Sequence, residues 1–162
     1  MVLVVRVPAA LPGEPELILR RLKYGKFGHR LKDALRASRA NRALQHGLIL
    51  ERNGISTPRA FAAAEVRQMR WPTAAYLITE QIPQAQTLTA FLLRNPSPPR
   101  SLAIRLADLL ARLHNKGFSH RDLKSSNILL DGESNPFLID LDGLRIFKTL
   151  TEKRAVAQPH RL

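Results

Sequence analysis

Three side chains that could act together in phosphoryl transfer lie in one short segment, His120 to Gly143. Asp122 could accept the proton of an attacking hydroxyl, and Asn127 and Asp140 carry oxygen atoms of the kind that hold Mg²⁺ on phosphates. Asn127 follows Asp122 by five positions, so both belong to one loop. These residue types predict a site for Mg²⁺-dependent phosphoryl transfer.

A predicted β-hairpin brings Asp140 back to the other two side chains. Residues 127–130 are typical of a short buried strand, 131–132 of its turn, and 136–139 of the returning strand. Asp140 follows the returning strand directly and is therefore expected beside Asn127. Taken singly, Asp and Asn are common turn residues, so only the combination favours a catalytic site.

The segment resembles the catalytic loop of protein kinases, whose pattern is H-R-D-x-x-x-x-N followed by a metal-binding D-F-G. Residues 140–142 stand at the D-F-G position, Lys124 follows Asp122 by two, and His120 is expected to brace the loop by hydrogen bonds. Upstream segments are similar to the bacterial lipopolysaccharide kinase family, which phosphorylates heptose or Kdo sugars of the lipid A core. The matching segments, in the family's order, are 17–22, 38–43, 53–59, 75–80 and 113–120.

This resemblance implies an α+β, protein-kinase-like fold with a reduced N-lobe sheet plus one helix and an incomplete, mainly helical C-lobe. The nucleotide-binding N-lobe is predicted to span residues 1–82. The partial C-lobe, with the catalytic loop and the metal-binding hairpin, is predicted to span residues 83–147, and residues 148–162 form a basic tail. Since a domain usually takes about 100 to 200 residues, two full lobes do not fit, and truncation is the favoured explanation.

The resemblance also implies ATP contacts in the N-lobe. Arg20 stands where the family's strand carries the Lys that holds the α- and β-phosphates, with Lys23 as the fallback. Arg in place of Lys is not a conservative change at such a position. Glu80 and Ile82 lie at the hinge, whose backbone bonds adenine, and are expected only to neighbour the base. The sequence has no G-x-G-x-x-G loop.

The function that the resemblance implies is an ATP- and Mg²⁺-dependent sugar kinase acting on the lipopolysaccharide core. Asp122 would orient and deprotonate the acceptor hydroxyl, and Lys124 would stabilise charge on the transferred phosphoryl group. Asn127 and Asp140 would hold Mg²⁺. Two alternatives stay open: a protein serine/threonine kinase, favoured by Lys124, and an inactive pseudokinase that serves as a binding module, favoured by Arg20.

Two helices are predicted from apolar residues at helical spacing. Ser38 is the predicted N-cap of a helix that runs to Arg52. In protein kinases this helix provides a Glu that pairs with the strand Lys, but the inward-facing candidates here are Ala43 and Gln45. The Lys–Glu ion pair is therefore expected to be missing. A second helix is predicted to begin with Ser101 as its cap.

The charge balance favours polyanionic partners. Lys and Arg total 26 against 13 acidic residues, a formal net charge of +13. We expect a lipopolysaccharide core or lipid A precursor as partner and a peripheral contact with anionic membrane, where each Lys or Arg gains about 1 kcal/mol. No zinc-finger spacing occurs and aromatic residues make up 6%, so no specific nucleic acid is expected.

The sequence places only limits on where in the cell the protein is located. No cysteine is present, which excludes disulfides and thiolate metal sites and fits the cytoplasm. No apolar run reaches the length of about 18 residues that crosses a bilayer. We therefore expect a cytoplasmic protein, peripheral at most, at the inner face of the inner membrane.

Overall fold

The computed structural model describes residues 3–8, 14–22, 38–69 and 71–147. The predictions for Lys23 and for residues 148–162 lie outside these ranges. The strands are β1 (Leu3–Val7), β2 (Leu17–Leu22), β3 (Ala60–Gln68), β4 (Trp71–Glu80), β5 (Gln86–Thr87), β6 (Phe118–His120), β7 (Ile128–Leu130), β8 (Pro136–Leu138) and β9 (Leu144–Ile146). The helices are α1 (Arg39–Arg52), α2 (Leu88–Arg94) and α3 (Arg100–Asn115).

The described residues group into two compact units. The first contains residues up to Ile49 together with Pro58–Gln81. The second contains Leu50–Thr57 and the chain from Ile82 onward. The end of α1 and the segment after it thus belong with the second unit, although the predicted N-lobe included them. The predicted boundary after residue 82 stays a prediction.

The first unit is an antiparallel sheet with one helix on it. Its strand order is β1-β2-β4-β3, so β2 is an interior strand. Leu22 of β2 and Ala75 and Leu77 of β4 pack together with Ala40 and Ala43 of α1 in one buried cluster. The small alanine side chains let the helix lie close to the sheet, and this face of the sheet is therefore the helix side.

Helix α1 begins as predicted and presents one apolar stripe. The Ser38 hydroxyl accepts a hydrogen bond of 3.1 Å from the Asn41 N–H, which confirms the predicted N-cap. Ala43 faces inward as predicted, but Gln45 is exposed, so that prediction was wrong. Gln45 misses the stripe because buried positions recur every three or four residues. The buried residues of the stripe are Ala40, Ala43, Gly47 and Leu50.

The second unit joins two small sheets to helix α3. One sheet has the order β5-β7-β8, and β6 pairs with β9. Helix α3 contacts β6 and β8 and buries Leu102, Leu109 and Leu113. The predicted cap at Ser101 was wrong: the helix begins at Arg100, so Ser101 is already inside it. No helix among the described residues is long and apolar enough to cross a membrane.

Several short elements of the second unit were not predicted. Strands β5, β6 and β9 and helix α2 have too few residues to show a period, and their partners are distant in sequence. Leu144 in β9 is only 5% exposed, so this short strand contributes to the core. Gly117 leads into β6 with a φ of +76°, and a Cβ there would collide with the Phe147 carbonyl. Glycine is therefore required at this turn.

Candidate active site

The loop of residues 121–127 is anchored by a pair of strands at each end. Before it, β6 pairs with β9 and places His120 opposite Leu144. After it, β7 pairs with β8 and places Ile128 opposite Leu138, which confirms the predicted hairpin. Because both ends are fixed to ladders, the side chains of the loop are presented by a rigid frame.

Asn127 links the loop to the residue that precedes Asp140. Its side chain is buried, and Nδ2 donates to the Asp122 carbonyl at 2.8 Å and to Asp122 Oδ2 at 3.3 Å. Its own carbonyl oxygen accepts the Ile139 N–H at 3.0 Å, which brings the backbone of Asp140 beside the loop. With Nδ2 committed to Asp122, Oδ1 is the atom of this amide suited to a cation.

Asp122 and Lys124 form an ion pair at the solvent-facing side of the loop. Lys124 Nζ lies 2.6 Å from Asp122 Oδ2, and both side chains are partly exposed. The hydrogen bond from Lys124 lowers the pKa of Asp122 below its usual value, and the hydrogen bond from Asn127 acts in the same direction. Asp122 is therefore an ionised carboxylate at neutral pH, as a proton acceptor must be.

Asp140 has a left-handed backbone, with φ 62° and ψ 48°. Such a conformation is uncommon for a residue with a side chain, although Asp tolerates it better than most. His120 Nε2 bonds the Asp140 carbonyl at 3.1 Å and so holds the backbone after β8, while the bracing of the catalytic loop itself stays a prediction. A strained residue held by its neighbours is typical of a functional site.

Burial of His120 gives the fold a pH dependence. His120 is only 1% exposed, and this desolvation lowers its pKa below 6.5. Below pH 6.5 the unfolded chain binds the proton more readily than the folded chain, so the free energy of unfolding falls as the pH drops from 6.5 toward the folded pKa. Thermal unfolding between pH 7.5 and 5 checks this: His120→Asn is expected to show a shallower loss of stability than the wild type. Equal slopes would contradict it.

Of the predicted nucleotide contacts, Arg20 and Glu80 lie in the first unit and Ile82 lies in the second. Arg20 stands opposite Leu77 and two residues from Leu22, so it belongs to the helix side of the first sheet. Glu80 uses its carboxylate to accept the Arg59 N–H at 2.9 Å, and Ile82 is buried. The roles predicted for them stay predictions.

The oxygen donors at the loop fit a magnesium ion. Mg²⁺ is usually held by one or two protein oxygen groups, with phosphates and water completing its octahedral shell. The Asn127 amide and the Asp140 carboxylate are of this type. No group of three or more His, Cys, Asp or Glu side chains suited to a metal occurs in the described part of the chain.

The fold is that of the protein-kinase-like class. It matches the solved structure "WaaP in complex with acyl carrier protein" with a TM-score of 0.62, at 18% identity, over 95% of this chain and 62% of that one. It also matches the bifunctional kinase-methyltransferase WbdD with a TM-score of 0.57, at 20% identity, over 83% of this chain and 29% of that one. These likenesses confirm the predicted kinase-like fold.

Residues 18–158 match the model of the lipopolysaccharide kinase (Kdo/WaaP) family, and the chain belongs to this family. It is 32% identical to the 3-deoxy-D-manno-octulosonic acid kinase of Vibrio parahaemolyticus, over 75% of this chain and 52% of the relative. A kinase of the same name from Vibrio vulnificus is 31% identical over 73% of this chain and 51% of the relative. Mouse serine/threonine-protein kinase 16 is 30% identical over 70% of this chain and 36% of its own length. The chain therefore spans about half the length of these Vibrio relatives.

Sequence reasoning missed one contact of the loop. The hydroxyl groups of Thr89 and Ser125 lie 2.7 Å apart and join α2 to the loop. The residues are 36 positions apart, and neither belongs to a recognised pattern. No signal in the sequence alone could have paired them.

Proposed function

We propose that this chain carries out ATP-dependent phosphoryl transfer to a hydroxyl group of a lipopolysaccharide core sugar. The observation that carries the proposal is the hydrogen-bonded group of Asp122, Lys124 and Asn127, with Asp140 tethered beside it through Ile139. Family membership supports the class of reaction. The names of the Vibrio relatives favour Kdo over heptose as the acceptor sugar.

In the proposed mechanism each loop residue has a separate role in an in-line phosphoryl transfer. Asp122 orients the acceptor hydroxyl and takes its proton as the oxygen attacks the γ-phosphorus of ATP, while the bond from that phosphorus to the β,γ-bridging oxygen breaks and ADP leaves. Asn127 holds Asp122 in place through Nδ2. Lys124 supplies positive charge beside the transferred group. Magnesium, held by Asn127 and Asp140, would neutralise charge on the ATP phosphates.

Arg20 is proposed to contact the α- and β-phosphates of ATP. Its position on the helix side of the first sheet, on an interior strand, supports this proposal. The buried stripe of α1 carries no carboxylate, so α1 offers no acidic side chain there to hold Arg20. A guanidinium can instead bind a phosphate group through two parallel hydrogen bonds.

The proposed partner is a lipopolysaccharide core or lipid A precursor that is itself anionic. A net charge of +13 favours such a substrate and a peripheral contact with anionic lipid at the inner face of the inner membrane. A cytoplasmic location is part of the same proposal.

The direct test is transfer of labelled γ-phosphate from ATP. The purified chain is incubated with Mg²⁺ and a Kdo-bearing lipid A precursor, and in parallel with casein. Label in the lipid and little in casein supports the proposal. Label chiefly in casein would favour the protein kinase alternative, and binding of ATP without transfer to either acceptor would favour the pseudokinase.

A further inference from the structure

The first turn of α2 is fixed against the strand that follows the catalytic loop. Strand β5 pairs with β7 and places Thr87 opposite Leu129. Thr87 also caps α2, since its hydroxyl accepts the Ala90 N–H at 3.1 Å. The position of Thr89, two residues into the helix region, is therefore set by both the ladder and the cap.

Thr89 reaches from this fixed turn to the loop. Its hydroxyl lies 2.7 Å from the Ser125 hydroxyl, and both residues are half-buried. Ser125 begins the 3₁₀ turn Ser125–Asn127. The Asn127 N–H donates to the Lys124 carbonyl at 2.8 Å, which fixes the shape of the turn. The contact with Thr89 fixes where that turn lies relative to α2.

The geometry of Asn127 is sensitive to such a displacement. Its bond to the Asp122 carboxylate is 3.3 Å long, near the limit at which a hydrogen bond is lost. A shift of the 3₁₀ turn by a few tenths of an ångström would break this bond, while the 2.8 Å bond from Nδ2 to the Asp122 carbonyl would keep the amide near its place. Asp122 would then lose one of the two side-chain donors that orient it, since the other is Lys124.

We propose that Thr89 is a positioning residue that acts through the Ser125 hydroxyl to orient the Asn127 amide, and with it Asp122. The inference rests on the proposed function for its kinetic consequence, but the orientation of Asn127 does not depend on catalysis. Replacing a residue that supports the side chains of a metal or catalytic site commonly lowers metal affinity or activity by about 10- to 100-fold.

The test compares Thr89→Val and Ser125→Ala with the conservative Thr89→Ser. We expect Thr89→Val and Ser125→Ala to lower kcat about 10-fold and to raise the Mg²⁺ concentration needed for half-maximal activity, while Thr89→Ser stays near the wild type. The double variant should lose no more than either single variant, because both remove one bond. Thr73→Val removes a hydroxyl that bonds the Val66 carbonyl in the first unit and serves as the matched control.

An independent readout separates this inference from the proposed function. In NMR spectra of ¹⁵N-labelled protein, the side-chain amide signal of Asn127 should move in Thr89→Val and Ser125→Ala, return in Thr89→Ser and stay in Thr73→Val. An unmoved Asn127 signal in Thr89→Val, with an unchanged Mg²⁺ requirement, would overturn the role of Thr89. A wild-type chain that transfers no phosphate while the Asn127 signal responds would overturn the proposed function and leave the orientation of Asn127 by Thr89 supported.

Discussion

Replacing Asp122 with Asn is expected to lower kcat by about 10²- to 10⁴-fold, the usual contribution of a proton acceptor in catalysis. The amide cannot take the proton of the acceptor hydroxyl, although it keeps the shape of the carboxylate. The Asp122 side chain is 49% exposed, so the fold should hardly change. Steady-state transfer to the Kdo-bearing acceptor, together with the melting temperature, checks both expectations.

Asp108→Asn is the matched control for that result. Asp108 is also an exposed carboxylate in an ion pair, with Arg112 on α3. Its replacement removes a similar ion pair that lies outside the loop, so kcat should stay unchanged. If Asp122→Asn kept more than about a tenth of the wild-type kcat, the assignment of Asp122 as proton acceptor would be wrong.

Replacing Asp140 with Asn is expected to weaken binding of Mg·ATP by about 100-fold, or about 2.8 kcal/mol, because a neutral amide attracts Mg²⁺ less than a carboxylate does. Binding of ATP without Mg²⁺ should change little, since Asp140 is assigned to the metal and not to the nucleotide. Isothermal titration calorimetry with and without Mg²⁺ measures the two affinities separately.

The backbone at Asp140 makes Asn the appropriate replacement. Both residues tolerate the left-handed conformation found there, so the variant tests the charge and not the fold. Asp108→Asn again provides the control, with no expected change in either affinity. An unchanged affinity of Asp140→Asn for Mg·ATP would exclude Asp140 as the metal ligand.

The parts of the fold that could be predicted are those indicated by residues close together in the sequence. The hairpin around Asn127 combines two short apolar runs with turn residues, and the N-cap of α1 combines Ser38 with an apolar stripe. Both are formed as predicted. The kinase-like fold was expected from the resemblance of residues 120–143 to the kinase catalytic segment and of the upstream segments to the lipopolysaccharide kinase family, and the family match agrees with it.

The parts that could not be predicted depend on contacts distant in sequence. Strand β9 is three residues long and exists because it pairs with β6. Helix α2 is capped by Thr87, but the cap is fixed in place by a ladder to β7. The wrong cap at Ser101 arose because Ser is a common N-cap, whereas Pro99 occupies that position with φ −66° and ψ 145°. Where two nearby residues could each cap a helix, tertiary packing decides which of them does.

A thermal-shift titration of the purified chain with ATP, with and without Mg²⁺, shows whether the loop and hairpin form an Mg²⁺-dependent nucleotide site. A ligand at 100 times its Kd stabilises a folded protein by about 2.7 kcal/mol. For a chain of this size that is a rise in melting temperature of about 5 to 10 °C. We expect such a rise with Mg·ATP and a much smaller one with ATP alone. A cooperative unfolding transition that neither ligand moves would show that no such nucleotide site is formed.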